Sequence, residues 1–441
     1  MRAAGPLGSV GLLVAAVATL AGSAARGRDA PDENATLDTY LQQAFRDNPG
    51  LEAMRRKWQA ADERVPQARA LDDPQLSTEV FLEQKDTRWQ AALTQMIPLF
   101  GRRGWMVREA SAEAKAARHE YEAARLDLYD RVSRAFYDYH LLGRSIAVME
   151  QQLRLLADLE TVIRTRYEAG SAGFPDLTKA QVEKDKAANE LASMQDERRV
   201  LSDRLAALLN LPVDQPLPWP KFEPSASALL DESALLAMIE DLNPELKVSQ
   251  AMTEKAQAAQ ELARRGGRPD LMLGAGVMSM PSMDGGGDEY DASVMVGITL
   301  PWWRGKNAAR LREAAAMAES ARNEQADRFN ELTTELRMAA FQYRDSERRI
   351  ALFRDSLIPK TEQAYEVARQ DFAAGRAEFM EVNDAQRMLL ELRLSYERAL
   401  VDRERALVEI GCCIGKYGAD LQESLPATPD AGPGAAGGEA P

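Results

Sequence analysis

Residues 101–170, GRRGWMVREASAEAKAARHEYEAARLDLYDRVSRAFYDYHLLGRSIAVMEQQLRLLADLETVIRTRYEAG, contain no proline and read as one helix. Apolar or small residues fall at Val107, Ala110, Ala114, Ala117, Tyr121, Ala124 and Leu128. They continue at Val132, Ala135, Tyr139, Leu142, Ile146, Met149, Leu153 and Leu156. The steps alternate three and four, with one slip between Leu128 and Val132. Such spacing lays a narrow apolar seam along one side and leaves charge elsewhere, which is the pattern of a coiled-coil helix. At 1.5 Å per residue the rod is ~100 Å long, too long for one compact domain.

On either side of the rod the period changes. Upstream, Leu76, Thr78, Val80 and Leu82 alternate with Ser77, Glu79 and Glu83, so 75–84 reads as a strand. After a polar turn at 85–87, Trp89, Ala91, Leu93 and Ile97 share one face of a second strand, 89–97, which Pro98 closes. Before this hairpin, 37–70 reads as a helix broken at Asn48-Pro49, and Pro74 bars its continuation. Downstream, Gly170-Ser171-Ala172-Gly173 is a turn, and Pro175 suits the first turn of a returning helix that runs to Leu209.

Five prolines between Leu211 and Ser225 begin a connector, 211–230. The programme then starts again. Asn48-Pro49 returns as Asn243-Pro244 and Pro74 as Pro269. Strands recur at 271–280 and 292–300, and Pro98 returns as Pro301. Ala135-Phe136, Gly170 and Ala180-Gln181 return as Ala340-Phe341, Gly375 and Ala385-Gln386, each 205 residues on. The second long helix spans 304–372, where Pro359 imposes a bend, and its returning helix spans 379–415. Two units, 26–210 and 231–416, therefore arise by duplication. A tail rich in Pro, Ala and Gly, 417–441, reads as disordered.

Composition narrows the function. The 441 residues carry a formal net charge of −14 with both signs interspersed, which argues against a nucleic-acid partner. Arg2, the apolar run 7–21 and the small residues 22–25 have the layout of a secretory signal peptide, 1–25. No other stretch reaches the ~20 apolar residues of a spanning helix, so a membrane role has to use strands. Strands of about ten residues suit a transmembrane barrel, but four per chain cannot close one and open edges are not tolerated in lipid. Symmetric assembly of three chains supplies twelve.

The only cysteines, Cys412 and Cys413, are adjacent on the last helix, where a mutual disulfide is strained; they read as small buried residues, with a soft-metal or intermolecular disulfide role as the alternative. The two histidines, His119 and His140, have no partner pattern of a hydrolase, and His140 is expected to pack beside Tyr139. Gly285-Gly286-Gly287 reads as a flexible hairpin loop, not a phosphate cradle. No enzyme chemistry and no cofactor is indicated.

With these features in place, nearly the whole chain resembles the TolC family of outer-membrane efflux and secretion channels, in its heavy-metal efflux branch. The resemblance rests on the duplicated Asn-Pro, on Leu-Pro-Trp-Trp-Arg-Gly-Lys at 300–306, and on Tyr-Glu-Ala-Gly at 167–170 with Phe-Ala-Ala-Gly at 372–375. Glu-Val-Asn-Asp-Ala-Gln at 381–386 also matches. It implies a mainly α fold with a small β part: a homotrimer whose 12-stranded outer-membrane β-barrel joins a periplasmic α-helical coiled-coil barrel. It also implies passive export of metal cations or small toxins, received from a periplasmic adaptor and an inner-membrane pump, RND-type by the branch resembled. Other readings are a type I secretion duct, or a periplasmic coiled-coil scaffold that never enters the membrane.

In the resembled family the closed end of the tunnel carries acidic rings near the helix turns. The matching positions are Asp176, Glu381 and Asp384, with Lys179 at the first-unit counterpart of Asp384. Trimer symmetry makes each a ring of three charges at a constriction, which favours cations. Acids in a first helical turn also complement the helix dipole without any such role. The tip turns that face the adaptor are marked by Gly170, Gly173 and Gly375, and Ala377 stands where the family's latch has an arginine. Met278, Met280 and Met283 cluster at the end of the third strand, where thioethers suit soft Cu(I) or Ag(I) or serve simply as packing.

Overall fold

The computed structural model describes residues 36–82, 87–212, 216–225, 230–281 and 288–417. The expected leader, most of the expected tail, the Gly285-Gly287 loop and Met283 lie outside them. The chain runs α1 (Leu37–Asp47), α2 (Pro49–Asp62), α3 (Arg64–Arg69), β1 (Gln75–Val80), β2 (Trp89–Ile97), α4 (Arg102–Glu168) and α5 (Phe174–Leu208). After the connector come α6 (Glu232–Leu242), α7 (Pro244–Arg265), β3 (Leu271–Pro281), β4 (Asp288–Ile298), α8 (Arg304–Leu352), α9 (Ile358–Ala373) and α10 (Phe379–Ile414). A single π turn, Phe353–Leu357, joins α8 to α9. Pro359 has no N–H and its ring crowds the carbonyl four residues back, so the wider turn relieves the strain that the sequence assigns to this position.

The repeated Asn-Pro has a structural purpose. Asn48 Oδ1 accepts from Leu51 N at 3.1 Å, capping α2, while its Nδ2 donates to the Leu208 carbonyl at 2.9 Å. Asn243 does the same for α7, accepting from Leu246 N at 2.9 Å and donating to the Cys413 carbonyl at 2.8 Å. One amide thus starts a helix and ties it to the end of the returning helix. That returning helix ends in a left-handed residue in both units: Asn210 (φ 56°) and Gly415 (φ 80°). At Gly415 a Cβ would meet the Leu242 carbonyl oxygen at 2.8 Å, so only glycine fits.

Burial along α4 departs from the narrow seam. Between Leu126 and Tyr139 nine residues are buried, pointing to several sides, because α1, the connector, α5 and α10 all pack here. Trp219 of the connector stacks on Tyr139 with ring centroids 4.6 Å apart, and Arg198 lies 4.4 Å from the Trp219 centroid. A Cβ on Gly143 would come within 2.9 Å of the Trp219 ring. His140 does not pack beside Tyr139: successive residues on a helix face different ways, and its ring lies on Phe222 at 4.6 Å, with burial lowering its pKa. Farther along, Ser225 N and Oγ donate to Glu404, and Arg403 donates to the Ser225 carbonyl. Burial pushes the Cys413 thiol up to about 12, so it packs as a neutral thiol.

The four strands form one antiparallel sheet in the order β1-β2-β3-β4. The two hairpins, far apart in sequence, join through β2 and β3 with Trp89 opposite Ser279 and Ile97 opposite Leu271. β1 ends at Val80, short of 84, and β4 runs Asp288–Ile298 where 292–300 was expected. The latter shift has a simple cause: Glu289 and Asp291 alternate with Tyr290 and Ala292, but Asp288 puts a further charge on the face of Tyr290 and Ala292, which hid the pattern. β1 and β4 each have a free edge in the single chain.

Candidate functional site

At the foot of the molecule both long helices end in the same turn. Gly170 (φ 72°) and Gly375 (φ 78°) take the left-handed conformation that a side chain resists. Behind each, a backbone N–H closes back on the helix, Ser171 N to the Arg166 carbonyl and Arg376 N to the Asp371 carbonyl, both at 2.8 Å. Gly173 is extended (φ −83°) and serves as the residue before α5. Under the turns Leu159, Ile163, Leu177, Ala180, Phe372, Phe379 and Val382 form one apolar cluster drawn from both units. The two hairpins are therefore packed to each other at the tip.

That packing places the acidic candidates. Asp176 and Glu381 lie in the first turns of α5 and α10, beside the clustered Leu177 and Val382. Asp176 is half-buried, while Lys179, Glu381 and Asp384 are exposed. Among the described residues none of the four makes an ion pair within the chain, so Lys179 is not joined to Asp384.

Two polar arrangements at the tip escape a reading by spacing. Arg166 donates to the carbonyls of Phe372 and Ser171, bridging the units. Arg376, next to the alanine noted above, is engaged by Asp371 of its own unit at 2.6 Å. Two to three turns above, the nearly buried Glu160 accepts from Lys184 and from Arg164, each at 2.5 Å, and from Gln181 at 3.3 Å. Those bonds, Lys184 first, hold its pKa down to about 2. Only the Glu160 to Arg164 step has helical spacing that a sequence could reveal.

At the other end, the register sorts the sheet into two faces. Leu76, Thr78 and Val80 line up with Trp89, Ala91 and Leu93, then with Ala275, Val277 and Ser279, then with Tyr290, Ala292 and Val294. This face is apolar, with Trp89 and Tyr290 rings 6.3 Å apart near its outer end. The opposite face carries Ser77, Glu79, Gln90, Thr94, Ser293, Asp291 and Glu289. An apolar face toward lipid and a polar one toward a lumen is the alternation of a transmembrane barrel. Met278 and Met280 stand on the polar face, opposite Asp291 and Glu289. No described helix is long and apolar enough to cross a membrane. Among the described residues there is no cluster of His, Cys, Asp and Glu able to hold a metal.

The sequence matches the outer membrane efflux protein family over residues 40–211 and 235–416. The chain belongs to this family. It is 26% identical to the cobalt-zinc-cadmium resistance protein CzcC of Cupriavidus metallidurans, over 86% of this chain and 90% of that one. Its fold is similar to the crystal structure of CusC, with a TM-score of 0.75 and 18% identity over 87% of this chain and 92% of that one. It is likewise similar to the outer membrane protein VceC of Vibrio cholerae, with a TM-score of 0.74 and 18% identity over 86% and 96%. The outer membrane efflux protein is thus a channel with its strands in the outer membrane and its helices forming a periplasmic tunnel. Channels of this family serve tripartite pumps, and the secretion-duct and scaffold readings are not favoured.

Proposed function

We propose that three copies of this chain close a barrel and tunnel that export metal cations handed over by a periplasmic adaptor and an RND-type inner-membrane pump. The observation that carries assembly is the pair of free edges: β1 and β4 would each leave unpaired N–H and C=O groups in lipid unless β4 of one copy pairs with β1 of the next. Asp176, Glu381 and Asp384, with Lys179, form rings at the closed end. Gly170, Gly173 and Gly375 shape the turns that meet the adaptor, alongside the exposed Phe174 and Tyr167. Met278 and Met280, at the outer end of β3, contact cargo at the outer mouth, and Met283 is the third methionine assigned to this role.

Metal cargo is supported by the similarity to a cobalt-zinc-cadmium resistance protein and by the carboxylates on the lumen face. Growth of a deletion strain across graded copper, silver, zinc and cobalt, beside dyes, detergents and antibiotics, tests it. Selective metal sensitivity, restored by the full gene, is the expected result. Sensitivity to hydrophobic toxins alone would replace metal with drug cargo. Native mass spectrometry of the detergent-solubilised protein tests the trimer.

A further inference from the structure

All five methionines of the strands stand on one face, and it is the polar one. Met96 of β2, Met272, Met278 and Met280 of β3, and Met295 of β4 share the register of Glu79, Asp291 and Glu289. An apolar filler is equally at home on the lipid side, so packing alone does not account for this segregation.

Three of the five occupy adjacent register positions at the tunnel end of the sheet. Met96 pairs directly with Met272 across β2 and β3, and directly opposed side chains in an antiparallel pair have Cβ atoms about 5 Å apart. Met272 faces Gly297 on β4, and Met295 faces Gly274 on β3. A Cβ on Gly297 would fall 2.7 Å from Met272 Cε, and one on Gly274 would fall 3.2 Å from Met295 Cε. Each of these methionines therefore lies over the other's glycine. The facing positions on β3 and β4 carry no side chain, and all three methionines are half-buried on the same face of the sheet.

We propose that Met96, Met272 and Met295 form a binding site for a soft monovalent cation, Cu(I) or Ag(I), at the junction of barrel and tunnel. Three neutral sulfur donors suit such ions and discriminate against Zn(II) and Co(II), which prefer nitrogen, oxygen or thiolate ligands. Being uncharged, the site releases its ion more readily than a thiolate site, as a conduit requires. Met278 and Met280 lie farther along the same face toward the outside and offer the next contacts. The biological meaning of the site rests on the metal-cargo reading above; its existence does not.

The test is titration of the full-length detergent-solubilised channel with Ag(I), Zn(II) as control, and copper X-ray absorption after loading with Cu(I). The channels compared are wild type, M96L/M272L/M295L and M278L/M280L. The site is supported if the triple variant loses one Ag(I) per chain or weakens it by about tenfold or more, with sulfur-only Cu(I) coordination in the wild type and no matching Zn(II) binding. Unchanged Ag(I) affinity and stoichiometry in the triple variant overturns it. Met96 fills no glycine gap, so M96L alone serves as the decisive variant should the triple variant not assemble.

Complementation separates the two ideas. A silver-sensitive deletion strain fully rescued by a triple variant with unchanged Ag(I) binding removes the site and leaves metal export standing. A deletion strain tolerant of copper, silver, zinc and cobalt alike, together with Ag(I) binding that needs the trio, keeps the site and removes metal export.

Discussion

The guanidinium of Arg166, at the foot of α4, donates to the Phe372 carbonyl at the foot of α9 and lies 4.7 Å from the Phe372 ring centroid. It thereby fastens the first hairpin to the second at the last turn before the tips. A planar, permanently charged donor can hold a carbonyl and a ring at once, which lysine cannot do as well.

Removing this clamp should loosen the closed end. R166A is expected to raise single-channel conductance in planar bilayers and to sensitise cells to large antibiotics, with R166K intermediate. Conductance identical to wild type would show that other contacts set the closed diameter.

The ring assignment makes a different electrical prediction. D176N/E381Q/D384N removes three negative charges per chain, so cation preference should fall. Reversal potentials across a KCl gradient report it directly, and the shift should shrink at high salt. An unaltered reversal potential would leave these acids as dipole partners of α5 and α10 only.

The Asn-Pro motif was visible as a repeat, yet its meaning was not. Its spacing marks a helix start, but the second half of its role is a bond to a carbonyl 160 residues away, Asn48 to Leu208, which local spacing cannot encode. The same limit hid Arg166. Helices, hairpins and tip turns were legible because they follow from period, proline and glycine, all local signals. The alternation of the strands likewise gave the faces of each strand, but only the pairing of Met96 with Met272 gathered distant methionines into one place. The seam along α4 widened where the connector supplied Leu217, Trp219 and Phe222, residues whose destination a proline-rich stretch does not announce.

Each asparagine can be tested for its two bonds. N48A and N243A should each cost about 1–2 kcal/mol, from a lost cap and an unpaired carbonyl. Asp at either position keeps the cap but not the Nδ2 donor, so N48D should fall between. Thermal dissociation of the trimer followed on gels measures the order.

Gly143 leaves room for the connector. G143A puts a Cβ 2.9 Å from the Trp219 ring, so Trp219 must leave its stack on Tyr139. The expected cost is about 1–3 kcal/mol, with faster tryptic cleavage at the exposed Lys221 in the same connector. Cleavage at the wild-type rate would mean that the ring shifts without releasing the chain.

Glu160 supplies a pH dependence with a definite sign. Its ordinary pKa of 4.5 is lowered to about 2, chiefly by the Lys184 bond and then by Arg164, so the unfolded chain binds its proton first as the solution is acidified. Stability from this group is therefore fully present above pH 4.5 and is lost as the pH falls toward 2. E160Q keeps the shape and removes the charge. It should lower stability by about 1–2 kcal/mol at neutral pH, because charge-assisted bonds become ordinary ones and Lys184 loses its counter-charge. Between pH 4.5 and about 2 the gap between variant and wild type should close. Urea unfolding monitored by circular dichroism across that range measures it, and a gap that stays constant with pH would place the stabilisation in packing instead of charge.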